Sequence, residues 1–100
     1  MESNPDPKPT PAPRLVIVIW EDTAGLDDTW NDRQEAEELK PGTMSSVGWI
    51  IKDEPHYLTL TSSAEFDADL VGDVNCIPIG CIQKIIDLPY DTLDLFPEGD

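Results

Sequence analysis

The chain of 100 residues is short of most groups that do covalent or metal chemistry. It has a single histidine, His56, so no second imidazole can share a metal or pair with it. His56 stands beside a predicted turn and is expected at the surface. There are two cysteines, Cys76 and Cys81, separated by four residues and not matched by a second pair, so a zinc knuckle is not indicated. They are expected to be reduced and buried, filling space at a crowded turn. Bases are scarce, with 6 Lys and Arg against 21 Asp and Glu. No glycine-rich phosphate loop or P-loop lysine is present. Nothing resembles a nucleophile elbow, and a Ser-His-Asp set would have to use His56 without supporting neighbours. The Asp67-Ala68-Asp69-Leu70-Val71-Gly72-Asp73 stretch misses the third acid, where Val71 stands, and the terminal glutamate of a calcium loop, where Pro78 stands. The chain is therefore expected to be non-enzymatic, with no cofactor and no metal.

Long apolar runs are missing too. The longest, residues 15–20, is far too short to cross a bilayer. The opening Met1-Glu2-Ser3-Asn4-Pro5 has neither a positive n-region nor an apolar h-region, so a cytosolic setting, that of a host cell, is expected.

What is present in excess is negative charge. The formal net charge is −15, and residues 14–88 hold 15 of the 21 acids with five of the six bases. The acidity belongs to the folded part as well as to the ends. Such a field repels nucleic acid and anionic membranes and attracts basic protein surfaces.

Seven of the ten prolines crowd the two ends. Residues 1–13 alternate proline with small or polar residues, a composition for polyproline II and a solvated, disordered leader. Residues 14–88 are expected to form one small domain, and residues 89–100 an acidic-hydrophobic tail. The chain centres on a predicted hairpin over residues 43–63. Its second arm alternates, with Tyr57, Thr59 and Thr61 on one side and Leu58 and Leu60 on the other. Asp53-Glu54-Pro55 supplies the turn. Gly48 inside the first arm signals a bulge or sharp bend.

Ahead of the hairpin, Leu15-Val16-Ile17-Val18-Ile19-Trp20-Glu21 reads as a strand buried on both faces or nearly so. A long excursion follows over residues 27–42. Residues 31–39 favour a short helix capped by Asn31 or Asp32 and stopped by Pro41-Gly42. Trp30 and Leu39 are expected to anchor this excursion to the domain, with Glu35, Glu37 and Glu38 in water. After the hairpin come a loop over residues 64–72, a strand over 73–77, a 3₁₀ turn at Pro78-Ile79-Gly80 and a last strand over 81–88.

This order is mainly β and resembles a small five-stranded SH3-like or Sm-like barrel, with one short helix in the first long loop and disordered tails. Three stretches carry a narrower likeness. They are Val18-Ile19-Trp20-Glu21-Asp22, Ser46-Val47-Gly48-Trp49-Ile50 and Ile77-Pro78-Ile79-Gly80-Cys81-Ile82. Their order resembles a group of small tailed-phage and prophage proteins with V-x-W-x-D, S-V-G and I-P-x-G-C-I motifs. The resemblance covers residues 15–88. It implies a phage context and a small barrel, and it brings no catalytic residues. An ALYDY-type segment and paired hairpin tryptophans are absent, so proline-peptide binding is not implied. Sm-type RNA binding is not implied either, since no basic, aromatic loop is present.

Two binding candidates emerge. The first is an acidic face around Trp30, made of Asp27, Asp28, Asp32, Glu35, Glu37 and Glu38, suited to a basic groove and to mimicry of a phosphate row. The second is the tail, where acids alternate with Leu93, Leu95 and Phe96 in the manner of an interaction motif; the alternative reading has Tyr90 or Leu93 packing back on the domain. The leading expectation is an acidic phage accessory factor that binds and modulates a host or defence protein. The alternatives are a protein that sequesters a nucleotide signal between barrel protomers, with Ser45, Ser46, Ser62 and Ser63 as lining and Arg33, Lys52 and Lys84 as cations, and a minor virion component.

Overall fold

The computed structural model describes residues 13–65, 67–91 and 94. The predicted leader, apart from Pro13, lies outside them, as do Leu93, Leu95 and Phe96 of the tail. The fold is mainly β. Its elements are β1 (Leu15–Asp22), α1 (Arg33–Glu37), β2 (Gly42–Asp53), β3 (Tyr57–Glu65), β4 (Leu70–Pro78), the 3₁₀ turn Ile79–Cys81 and β5 (Ile82–Asp87). The five strands form one antiparallel sheet in the order β4-β3-β2-β1-β5. The last strand returns to the side of the first, as the expected SH3-like order requires.

The β-branched run of β1 makes it the strand flanked by β2 and β5. Period-two alternation sends Val16 and Val18 inward, where both are fully buried. Leu58 and Leu60 of β3 and Ile77 of β4 complete the buried cluster, with Trp20, Ile50, Cys81 and Ile82 packed against it. The alternate residues of β1, Leu15, Ile17 and Ile19, are only half-buried. The strand is therefore apolar on both faces but covered fully on one.

Two irregularities shape the sheet. Between β2 and β3 the register passes from Ile50↔Leu60 to Lys52↔Thr59, so Ile51 is the extra residue of a bulge and points into solvent. Between β1 and β5 it passes from Ile19↔Lys84 to Trp20↔Ile82, leaving Gln83 as the extra residue. The bulge thus lies three residues beyond Gly48, and Gly48 serves a different purpose. A Cβ placed on it would stand 2.6 Å from the carbonyl oxygen of Thr61 on the neighbouring strand. Glycine is needed there for close backbone approach.

Polar side chains pin strand to strand. The indole Nε1–H of Trp20 donates to Ser46 Oγ at 2.9 Å. The hydroxyl of Thr61, itself buried, is placed against the carbonyls of both Ser63 and Gly72 and so ties β3 to β4. Ile79 N–H donates to the carbonyl of His56 at 2.9 Å, joining the 3₁₀ turn to the hairpin turn.

Several sequence expectations need correction. The loop placed over residues 64–72 is mostly strand: β3 runs to Glu65 and β4 begins at Leu70. Turning within so few residues places Asp69 at φ 57°, and Asp73 follows at φ 55° within β4; aspartate tolerates this left-handed region better than most residues. The helix occupies five residues rather than nine, and none of them is buried. Trp30 and Leu39 do not anchor the excursion; both are exposed. The cysteines are free thiols, but Cys76 is exposed and Cys81 only half-buried. Cys76 sits on the outer side of edge strand β4 beside Thr59, whose hydroxyl lies 3.5 Å from its sulfur.

Candidate protein-binding face

The connection between β1 and β2 leaves the sheet at Asp22 and returns at Gly42. Its sequence offers few apolar groups to bury, so it is held by local polar contacts. Asp22 Oδ1 accepts the Thr23 N–H at 2.9 Å, a short-range turn that ends the strand. Asn31 Nδ2 donates to the Asp28 carbonyl at 3.0 Å and closes the bend carrying Trp30. Ala36 N–H donates to the Asp32 carbonyl at 3.1 Å, which opens the short helix. The Asp32 side chain makes no capping hydrogen bond and is exposed.

Trp30 is 89% exposed. Tryptophan is large and mostly well covered in folded proteins, so an isolated ring with this much open surface is unusual. Around it, Asp28, Asn31, Asp32 and Glu35 line an open surface cavity of ≈ 410 Å³. Three carboxylates and an indole therefore share one concavity. The other predicted members stand apart: Asp27, Glu37 and Glu38 are exposed but do not line it. Glu38 instead accepts a long 3.4 Å contact from Gln34 Nε2 along the helix. An exposed indole face attracts a guanidinium or ammonium, and adjacent carboxylates reinforce that attraction. The arrangement suits a cationic side chain.

Within one chain, the groups expected to line a nucleotide site lie as follows. Ser45 pairs with Ile19 and Ser46 with Val18, which places the two hydroxyls on opposite faces of the sheet. Ser46 is occupied by Trp20. Lys52 is paired with Glu54 at 3.0 Å beside the hairpin turn, Arg33 is on the helix, and Lys84 is on β5. Among the described residues, no group of three or more His, Cys, Asp or Glu side chains could hold a metal ion.

Two ties close the ends of the domain; the first has no signal in the sequence, while the second fits the reading in which Tyr90 packs back on the domain. Arg14 Nε and Nη2 donate to Asp87 Oδ1 at 3.0 and 2.9 Å, and the Tyr90 hydroxyl donates to the Pro13 carbonyl. No pattern in the chain signals the Arg14–Asp87 pair, so far apart in sequence. Among the described residues, no helix is long and apolar enough to cross a membrane. Searches of family models, of curated proteins and of solved structures found no match to this chain.

Proposed function

We propose that the chain is a non-enzymatic acidic binding protein that engages a partner protein with a basic surface through the concavity around Trp30. In this reading it acts as a phage accessory factor on a host or defence protein, its carboxylates standing where a nucleic-acid phosphate row would otherwise sit. The observation that carries the proposal is the almost fully exposed indole set among Asp28, Asp32 and Glu35. Trp30 contributes nothing to the core, so its open ring is available to serve as an interface anchor of the kind that dominates binding energy. The net charge of −15 would speed encounter with a basic partner, and that contribution would fade as salt is raised.

The test is capture of partners from a host lysate by the tagged full chain at low and high salt, with Trp30→Ala and a Asp28→Lys/Asp32→Lys/Glu35→Lys variant alongside. A specific partner lost at high salt and lost with either variant supports the proposal. A partner retained by both variants refutes this face as the contact.

A further inference from the structure

The half-covered side of the sheet has a composition unlike the rest of the molecule. Opposite the core, β1 presents Leu15, Ile17 and Ile19. The register sets Trp49 against Leu15, and sets Val47 and Ile86 on either side of Ile17. Val47 is 53% and Ile86 37% exposed. In a chain with 21 acids, the rows of Leu15, Ile17 and Ile19, which share this face across β5, β1 and β2, carry no carboxylate. Their one charged group is Lys84, opposite Ile19, which forms no ion pair among the described residues. A contiguous apolar face of this kind calls for a cover.

The root of the tail is fixed at the edge of that face. Leu88 N–H donates to the Leu15 carbonyl at 2.8 Å, and the Tyr90 hydroxyl reaches the Pro13 carbonyl. Asp94 N–H then donates to the Asp91 carbonyl at 3.0 Å. We propose that residues 91–100 fold back across this face and seat Leu93, Leu95 and Phe96 over Ile17, Val47 and Ile86. Ten residues can span roughly 33 Å. The face needs about 13 Å along the strands and about 10 Å across three of them. The tail carries Asp91, Asp94, Glu98 and Asp100 with no base, which matches a face whose sole charge is Lys84. A second copy is a poorer cover, since two such faces would bring two Lys84 groups together on chains that each bear −15. A tethered segment also acts at an effective concentration in about the millimolar range. The inference is independent of the Trp30 proposal, and it assigns the three apolar tail residues to the domain itself rather than to a partner.

The test is methyl and aromatic NMR on the full chain beside a full-length Leu93→Ser/Leu95→Ser/Phe96→Ser variant. Cross-peaks from Leu93, Leu95 or Phe96 to the methyls of Ile17, Val47 and Ile86 are expected at every protein concentration. In the variant those methyls shift, the remaining sheet spectrum is retained, and fluorescence of a bound apolar dye rises several-fold. Face methyls that are identical in both proteins would overturn the inference. So would cross-peaks that arise only between differently labelled copies in a mixed sample, since that outcome makes a second copy the cover.

Discussion

Gly48→Ala isolates one steric contact at the middle of the sheet. The added Cβ would stand 2.6 Å from the Thr61 carbonyl oxygen, 3.1 Å from its carbon and 3.5 Å from Leu60 Cβ. The first two neighbours are backbone, so no side chain can rotate away. Gly48 does not use a positive φ, and conformational strain at the residue is therefore not the issue. Relief requires β2 and β3 to separate where Trp49 pairs with Thr61 and Ile50 with Leu60. That movement also disturbs buried Leu60 and the Thr61 hydroxyl. Overpacking of a tight site costs about 1–3 kcal/mol, and the upper half of that range applies because the obstacle is backbone. For a domain of this size a loss of about 2–3 kcal/mol lowers Tm by about 8–24 °C. The assay is urea unfolding followed by fluorescence, read as a fall in midpoint at constant slope. Gly80→Ala is the control, because nothing lies within 4 Å of a Cβ there and it does not use a positive φ. It should be neutral or stabilise by up to about 1 kcal/mol. A Gly48→Ala midpoint equal to that of the control would refute the close-approach argument.

Thr61→Val keeps the shape but removes the hydroxyl placed against the Ser63 and Gly72 carbonyls, and should cost about 1–3 kcal/mol in the same unfolding assay, with Thr61→Ser recovering most of it. Leu58→Ala empties a fully buried position and should cost about 2–5 kcal/mol. Trp30→Ala should change stability by less than about 0.5 kcal/mol, since the ring touches so little, and a larger loss would mean that it anchors the excursion after all.

The period-two pattern of residues 57–61 and the β-branched run from Leu15 were readable because burial imposes alternation directly on the sequence. Leu58, Leu60, Val16 and Val18 are in the core as that pattern requires. The beginning of β4 was not readable for a physical reason. Leu70 and Val71 lie among Asp67, Asp69, Gly72 and Asp73, which together look like nine residues of loop. Asp69 turns the chain in a few residues by taking a left-handed conformation, and Asp73 adopts one inside the strand itself. Trp30 misled in the opposite direction. An aromatic beside a loop suggests an anchor, yet the excursion is held by Asp22, Asn31 and the Asp32 carbonyl, and the ring is left in water. Cys76 likewise looks like a core residue in sequence, but its register opposite Thr59 puts it on the outer side of an edge strand. Of the predicted binding face, the cluster of acids was legible from charge alone. Which of them share a concavity with Trp30 depended on a bend whose hydrogen bonds leave no signature in composition.

The most direct test of the proposed function is the affinity of the captured partner for the full chain and for Trp30→Ala, measured at low and high salt. Loss of the indole is expected to weaken binding by at least about 2 kcal/mol, roughly thirtyfold, at low salt. Salt should weaken the wild-type complex further while leaving the fold intact. Equal affinity of the two proteins, insensitive to salt, would contradict the claim that Trp30 and its surrounding carboxylates form the binding face.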